Sequence, residues 1–196
     1  MRRLRWIVPL AVVVILVPTL LVMHGCASTV PNRDPTGEVF PAVTGESLEE
    51  NEVTLPDAFA GEPVVLFVGY RQGTQFDIDR WILGLLQAGV TARIVEVPTI
   101  PGLVTSLASG WIDDGMRSGI PREDWGAVVT LYGGAADPVA EFTGTENGRN
   151  ARVLVLDRQG RVGWFTDRGY SASQAIEVAA LLQTLRGEKA EPGTGG

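Results

Sequence analysis

One thiol and one imidazole are available to this chain, and neither lies where a folded domain could use it. Cys26 is the single cysteine and His24 the single histidine of 196 residues. One cysteine rules out an intrachain disulfide, a CxxC motif and a cysteine zinc cluster. Both residues border the apolar run 7–23. A Ser-His or Cys-His pair in the domain beyond is therefore excluded, as is a histidine metal site. Acid–base work would fall to carboxylates. No cofactor is expected.

Two polar groupings remain. Tyr70, Arg71, Gln72 and Gln75 fall where an apolar run gives way to a helical pattern. Ligands of open α/β sheets favour the carboxyl ends of strands, and a helix starting after Thr74 offers free N–H groups to an anion, with Arg71 assisting. The plain alternative is a solvated loop held by its cap. Asp113, Asp114 and Arg117 share one helix face. The carboxylates suit a cation or acid–base chemistry; the plain alternative is an exposed salt-bridged face. Asp77 and Asp79 point to different helix faces, and Asp77 is assigned to the helix N-terminus. Trp81 and Trp111 follow helical apolar spacing and are expected in the core. Trp125, in an expected loop, and Trp164, on an outer strand, are the better candidates for a partner surface.

The elements that position these residues follow from periodicity. Residues 64–70 (VVLFVGY) read as a buried parallel strand. Residues 75–88 read as a helix burying Phe76, Ile78, Trp81, Ile82, Leu85 and Leu86, with Thr74 and Asp77 as a capping pair and Gly89 as the stop. A strand at 92–97 ends at Pro98. A helix at 102–118 buries Leu103, Leu107, Trp111, Ile112 and Met116. A strand at 127–132, a short helix at 137–142 and a hairpin of 151–156 and 161–165 around Asp157-Arg158-Gln159-Gly160 follow. A helix at 171–186 closes the domain, capped by Ser171 and Gln174 and stopped by Gly187.

The ends read differently. Arg2, Arg3 and Arg5 precede the apolar run, and small residues follow it, as in a secretory signal. Leu21-Val22-Met23-His24-Gly25-Cys26 resembles a bacterial lipobox, which implies cleavage before a lipid-modified Cys26. The alternatives are an uncleaved anchor, since the run sits at the lower limit for a span, and plain secretion. Residues 1–25 are thus a signal peptide or membrane anchor, 26–52 a flexible stalk rich in Pro and Gly, 53–187 the domain and 188–196 a disordered tail. The arginines stay inside, which places the domain outside the cytoplasmic membrane. All 23 acidic residues follow the anchor, leaving the rest of the chain at −10. Such a surface repels phosphate backbones, so nucleic acid is excluded as a partner.

The element order resembles the thioredoxin-like superfamily in its larger, peroxiredoxin-type form. The strand Arg152-Val153-Leu154-Val155-Leu156, its Asp157-Arg158-Gln159-Gly160 turn and the return Arg161-Val162 look like that group's late hairpin, and Asp137-Pro138 after a strand has a parallel there. The resemblance implies an α/β fold with a mixed sheet of about five strands covered by helices on both faces. It also implies that the family's cysteine would fall at residues 71–75, which here read Arg71-Gln72-Gly73-Thr74-Gln75. Thiol chemistry has no nucleophile there. Arg152 stands in the region where peroxiredoxins place a substrate-binding arginine; without a thiolate, an ion pair is the economical reading. Residues 69–75, Trp81, Val155-Leu156-Asp157, Arg161-Val162-Gly163-Trp164 and Gly169 also resemble the cysteine-less mitochondrial assembly chaperones for the membrane-embedded part of F-type ATP synthase. That resemblance implies binding or assembly at a membrane. The expected function is a non-redox, membrane-tethered domain that binds another envelope protein. A small-molecule or metal-ion carrier and a carboxylate enzyme are the alternatives.

Overall fold

The computed structural model describes residues 29–102 and 106–187, without the side chains of 106–108. The signal or anchor at 1–25, Cys26, Leu103 and the tail at 188–196 lie outside the described residues, as does the side chain of Leu107.

The run VVLFVG forms β3 (Val64–Gly69), whose first five residues are all buried. A strand apolar on both faces must be central, and β3 is flanked by β4 (Arg93–Ile100) in parallel and β6 (Arg152–Leu156) in antiparallel register. The remaining strands are β1 (Val43–Ser47), β2 (Glu52–Leu55), β5 (Val129–Tyr132) and β7 (Val162–Thr166). Together they make one mixed sheet in the order β2-β1-β5-β4-β3-β6-β7. Seven strands replace the five or so expected.

Helices cover the sheet: α1 (Gln75–Gln87), α2 (Ser106–Gly119), α3 (Asp137–Thr143) and α4 (Ala172–Arg186). Val65, Phe67, Val153 and Val155 pack on Ile78, Trp81 and Leu85 of α1 and on Ala175, Val178 and Leu182 of α4. The alternate residues Val64, Leu66, Val68, Leu154 and Leu156 share the other core with Phe40, Phe59, Val139 and Phe142. This period-two division of one strand between two cores is what fixes the sheet's register.

Several expectations are corrected. The described part of the stalk, from Thr29 onward, belongs to the domain: Phe40 and Leu48 are 1% exposed, and β1 inserts between β2 and β5. Val30 exchanges hydrogen bonds with Thr145, its N–H donating to Oγ1 and its carbonyl accepting from the backbone (both 2.9 Å). β4 runs through Pro98 to Ile100. Pro98 falls opposite Gly69 at the last rung of the β3 ladder, where a missing donor matters least. Thr74 does not cap α1 with its side chain, because a 3-10 turn (Gln72–Thr74) precedes the helix and holds Thr74 in helical conformation. Ser171 stands at the start of α4 without a side-chain cap. Trp125 lies in a 3-10 helix (Arg122–Ala127) rather than a loop. Phe76, Leu86 and Trp111 are exposed, not core. The α1 face that meets the sheet is narrower than its apolar content, and α2 is tied down by polar contacts.

Candidate functional site

The loop after β3 is the first candidate, and the 3-10 turn that leads into α1 sets its backbone. Arg71 is extended, the turn closes with the Thr74 N–H on Arg71 O (2.9 Å), and α1 begins. That turn occupies part of the N–H set an anion would have used. Buried Thr74 donates its hydroxyl to Gly148 O (2.6 Å), and the Arg71 side chain lies along Gly148, where an added Cβ would come within 3.0 Å of its Nε. Asp77 is buried and accepts from the N–H groups of Ala151 (2.9 Å) and Tyr170 (2.8 Å). Standing in the first turn of α1, as expected, it also ties the helix to two distant segments.

Arg152 organises the other side of this site. It is 0% exposed, and all five of its N–H groups donate. The acceptors are the carbonyls of Gly144 (3.2 Å), Asn147 (3.3 Å), Asn150 (2.9 Å) and Glu146, and Oδ1 of Asn32 (2.8 Å). The Asn32 amide in turn donates to Asp167 (2.7 Å). The expected ion pair is replaced by a cage of neutral oxygens, with Asp167 reached through Asn32. Burial lowers the Arg152 pKa, opposed by Tyr70, Asp167 and Glu146. The guanidinium still carries its charge, since arginine stays protonated in proteins. It stands 5.3 Å from the Tyr70 ring centroid. The Tyr70 hydroxyl contacts Val139 O (3.0 Å) and Thr143 Oγ1 (2.8 Å). Burial pushes its pKa up to about 12 against the pull of Thr143 and Arg152, so Tyr70 is a structural hydroxyl and no base near neutrality.

Beside this closed network lies an open surface. Phe76 is 73% exposed at the start of α1. Its neighbour Gln75 bridges Asp79 (3.0 Å) and Glu96 (3.3 Å) through Nε2. These three line a cavity of about 350 Å³ with Ile82, Ile120 and Asp124. Burial, offset by the Gln75 bond and reinforced by Asp79 and Asp124, raises the Glu96 pKa.

The second candidate group is dispersed. Asp113 accepts from the Tyr132 hydroxyl (2.8 Å), whose pKa burial and Asp113 raise. Asp114 pairs with Arg117 (3.1 Å), and Arg117 donates to Leu48 O (2.9 Å) and approaches Glu50 (3.5 Å). These contacts dock α2 on β5 and on the β1–β2 turn. The two carboxylates do not converge, and among the described residues no group of three His, Cys, Asp or Glu is placed to hold a metal. Trp125 is half-buried between Arg117 and Arg122, its indole N–H on Ile120 O (3.0 Å). Trp164 packs edge-on against Trp81 (5.9 Å). Both are less available to a partner than Phe76.

The structure thus gathers Tyr70, Arg71 and Arg152 around residues 144–150 and leaves Gln75 at the cavity. Sequence reasoning missed Asn32, Asp167 and Glu96. Glu96 carried a signal, a lone charge inside an apolar strand. Asn32 carried none, being 120 positions from Arg152.

No family model matches the chain, and no curated protein matches it by sequence. Solved structures do. A solution structure from Bacteroides thetaiotaomicron, provisionally assigned as a protein disulfide isomerase, is 17% identical at a TM-score of 0.54, covering 81% of this chain and 95% of that one. A provisionally assigned electron transfer protein of Aquifex aeolicus VF5 is 15% identical at 0.52, covering 82% and 99%. BsSco, of the Sco family of cytochrome c oxidase assembly proteins, is 13% identical at 0.52, covering 79% and 98%. The fold is thioredoxin-like, with a mixed sheet flanked by helices.

Proposed function

We propose that this chain is a membrane-tethered, non-redox thioredoxin-like domain that binds another protein of the cell envelope, in an assembly role, through the surface around Phe76. The observation that carries this reading is the state of the loop after β3. The Thr74 hydroxyl, the Asp77 carboxylate that follows it and the neighbouring Arg152 guanidinium are all taken up by residues 144–151, Asn32 and Tyr170, no cysteine lies among the described residues, and the side chain left projecting beside them is an exposed phenylalanine. An exposed aromatic whose chain neighbour Gln75 lines a cavity suits a partner anchor. The likeness to an assembly protein of the Sco family fits the same role, whereas a disulfide switch is closed to a chain with one cysteine.

Tethering by Cys26 has a geometric consequence. Val30 is fastened to Thr145, so only four residue spacings, about 14 Å fully extended, separate the lipid-bearing residue from the domain. The domain then stands against the bilayer rather than on a stalk.

The test is affinity purification of the full chain from detergent-solubilised membranes. The same partner should co-purify with the wild type and with Ile176→Asp, an exposed α4 position, and be lost with Phe76→Asp. Catalysed insulin disulfide reduction by the purified chain, or partner retention by Phe76→Asp, contradicts the reading.

A further inference from the structure

Strand register places three polar side chains in one row, away from the loop after β3. Glu46 of β1 pairs directly with Glu52 of β2 on one side and with Thr130 of β5 on the other. Side chains at paired positions project from the same sheet face, roughly 5 Å apart at Cβ. Two carboxylates directly opposite each other repel and weaken a hairpin, yet this pair sits where the β1–β2 hairpin joins the sheet. Thr130 adds a second anomaly. It is 2% exposed, and its hydroxyl has no hydrogen-bond partner among the described residues, an arrangement folded proteins rarely keep. A cavity of about 270 Å³ opens over the row, walled also by Thr44, Tyr132 and Ala135, with no basic residue among the described residues that line it. The nearby Arg117 is committed to Leu48, Glu50 and Asp114.

We propose that this cavity binds a primary alkylammonium group, such as the side-chain head of a lysine, between Glu46, Glu52 and Thr130. An ammonium presents three donors and no acceptor; the row presents two anionic acceptors and one neutral acceptor. One cation relieves the repulsion and supplies the hydroxyl's missing partner together. A calcium ion would call for six to eight oxygen ligands, more than the row supplies. The methyls of Thr44 and Ala135 and the ring of Tyr132 suit an aliphatic stem. The inference is independent of the Phe76 surface.

The full chain in detergent micelles is titrated with n-butylammonium chloride, followed by backbone amide NMR shifts and thermal unfolding. Saturable shifts at Thr44, Glu46, Glu52 and Thr130 and a raised Tm are expected, with n-butanol giving neither. Glu46→Gln and Glu52→Gln should each weaken binding about two- to fivefold, while raising the ligand-free Tm by about 1–3 °C. Thr130→Val keeps the shape without the hydroxyl, and should likewise raise the ligand-free Tm and weaken binding. A capped Gly-Lys-Gly peptide that binds more tightly than butylammonium assigns the site to a partner's lysine; the reverse order assigns it to a free amine. Equal shifts with n-butanol, tighter binding of calcium chloride, or unchanged affinity in Glu46→Gln and Thr130→Val overturns the proposal.

Discussion

Replacing Arg152 with methionine keeps an unbranched apolar stem in place and removes five donors at once. Four backbone carbonyls between Gly144 and Asn150, together with Asn32 Oδ1, lose their partner. Hydrogen bonds to a charged group each contribute roughly 1.5–3 kcal/mol net, and five such values would rival the whole stability of a domain. They do not add. Glu146 and Asn147 are exposed and regain water, whereas Gly144 is buried and does not. Removing the charge also ends the burial penalty that lowers the arginine's pKa. The net loss is set at about 3–4 kcal/mol, the range for breaking a buried charged network. Urea unfolding of the full chain should show a lower midpoint with an unchanged m-value. Arg152→Lys, with three donors against five acceptors, should lose about half as much. Asn32→Ala should couple to it by about 0.5 kcal/mol or more in a double-mutant cycle. A loss below about 1 kcal/mol for methionine, or a lysine variant no better than methionine, would refute the role of this cage.

Other sites give simpler expectations. Gly45→Ala puts a Cβ 2.5 Å from Thr130 O and should cost about 2–4 kcal/mol in thermal or urea unfolding. Burial first, then Asp79 and Asp124, raise the folded pKa of Glu96 above its ordinary 4.5, so its contribution is fully present below that value and is lost as pH rises through the folded pKa. Glu96→Gln should therefore be the more stable protein at neutral pH, with the difference closing below 4.5 in a pH series of unfolding curves. Trp111→Ser, at an 80% exposed position, should change stability by less than about 0.5 kcal/mol, whereas Trp81→Ala, fully buried against Trp164 and Tyr170, should lose about 3–5 kcal/mol.

The central elements were legible because their signals were local. The apolar run of β3, the periodicity of α1 (expected at 75–88, found at Gln75–Gln87) and the Asp-x-x-Gly hairpin turn each reflect contacts within a few residues. In that turn, the Asp157 carboxylate accepts from the N–H groups of Gln159 and Arg161. The β1–β2 hairpin was not legible. Its apolar face reads Val43, Gly45, Ser47, and the glycine that suggested a loop is demanded by the close approach of β5. α2 misled in the opposite sense. Trp111 fits an apolar stripe, yet the helix is held by Arg117 and by Tyr132 on Asp113, which are polar contacts without periodicity. In the candidate site, the loop at Tyr70–Gln75 was found from strand-end geometry. The cage around Arg152 was not, because Asn32 and the carbonyls of residues 144–150 meet only through the tertiary fold, and backbone acceptors leave no trace in side-chain identity.

The central claim, that the surface beside the sulfur-free loop engages a partner, is tested most directly by photo-crosslinking in intact cells with a benzophenone amino acid at position 76 of the full chain. A discrete higher-mass adduct at position 76, absent when the probe stands at the exposed α4 position 176, is the predicted result. Equal adducts at both positions, or none at 76, would contradict it.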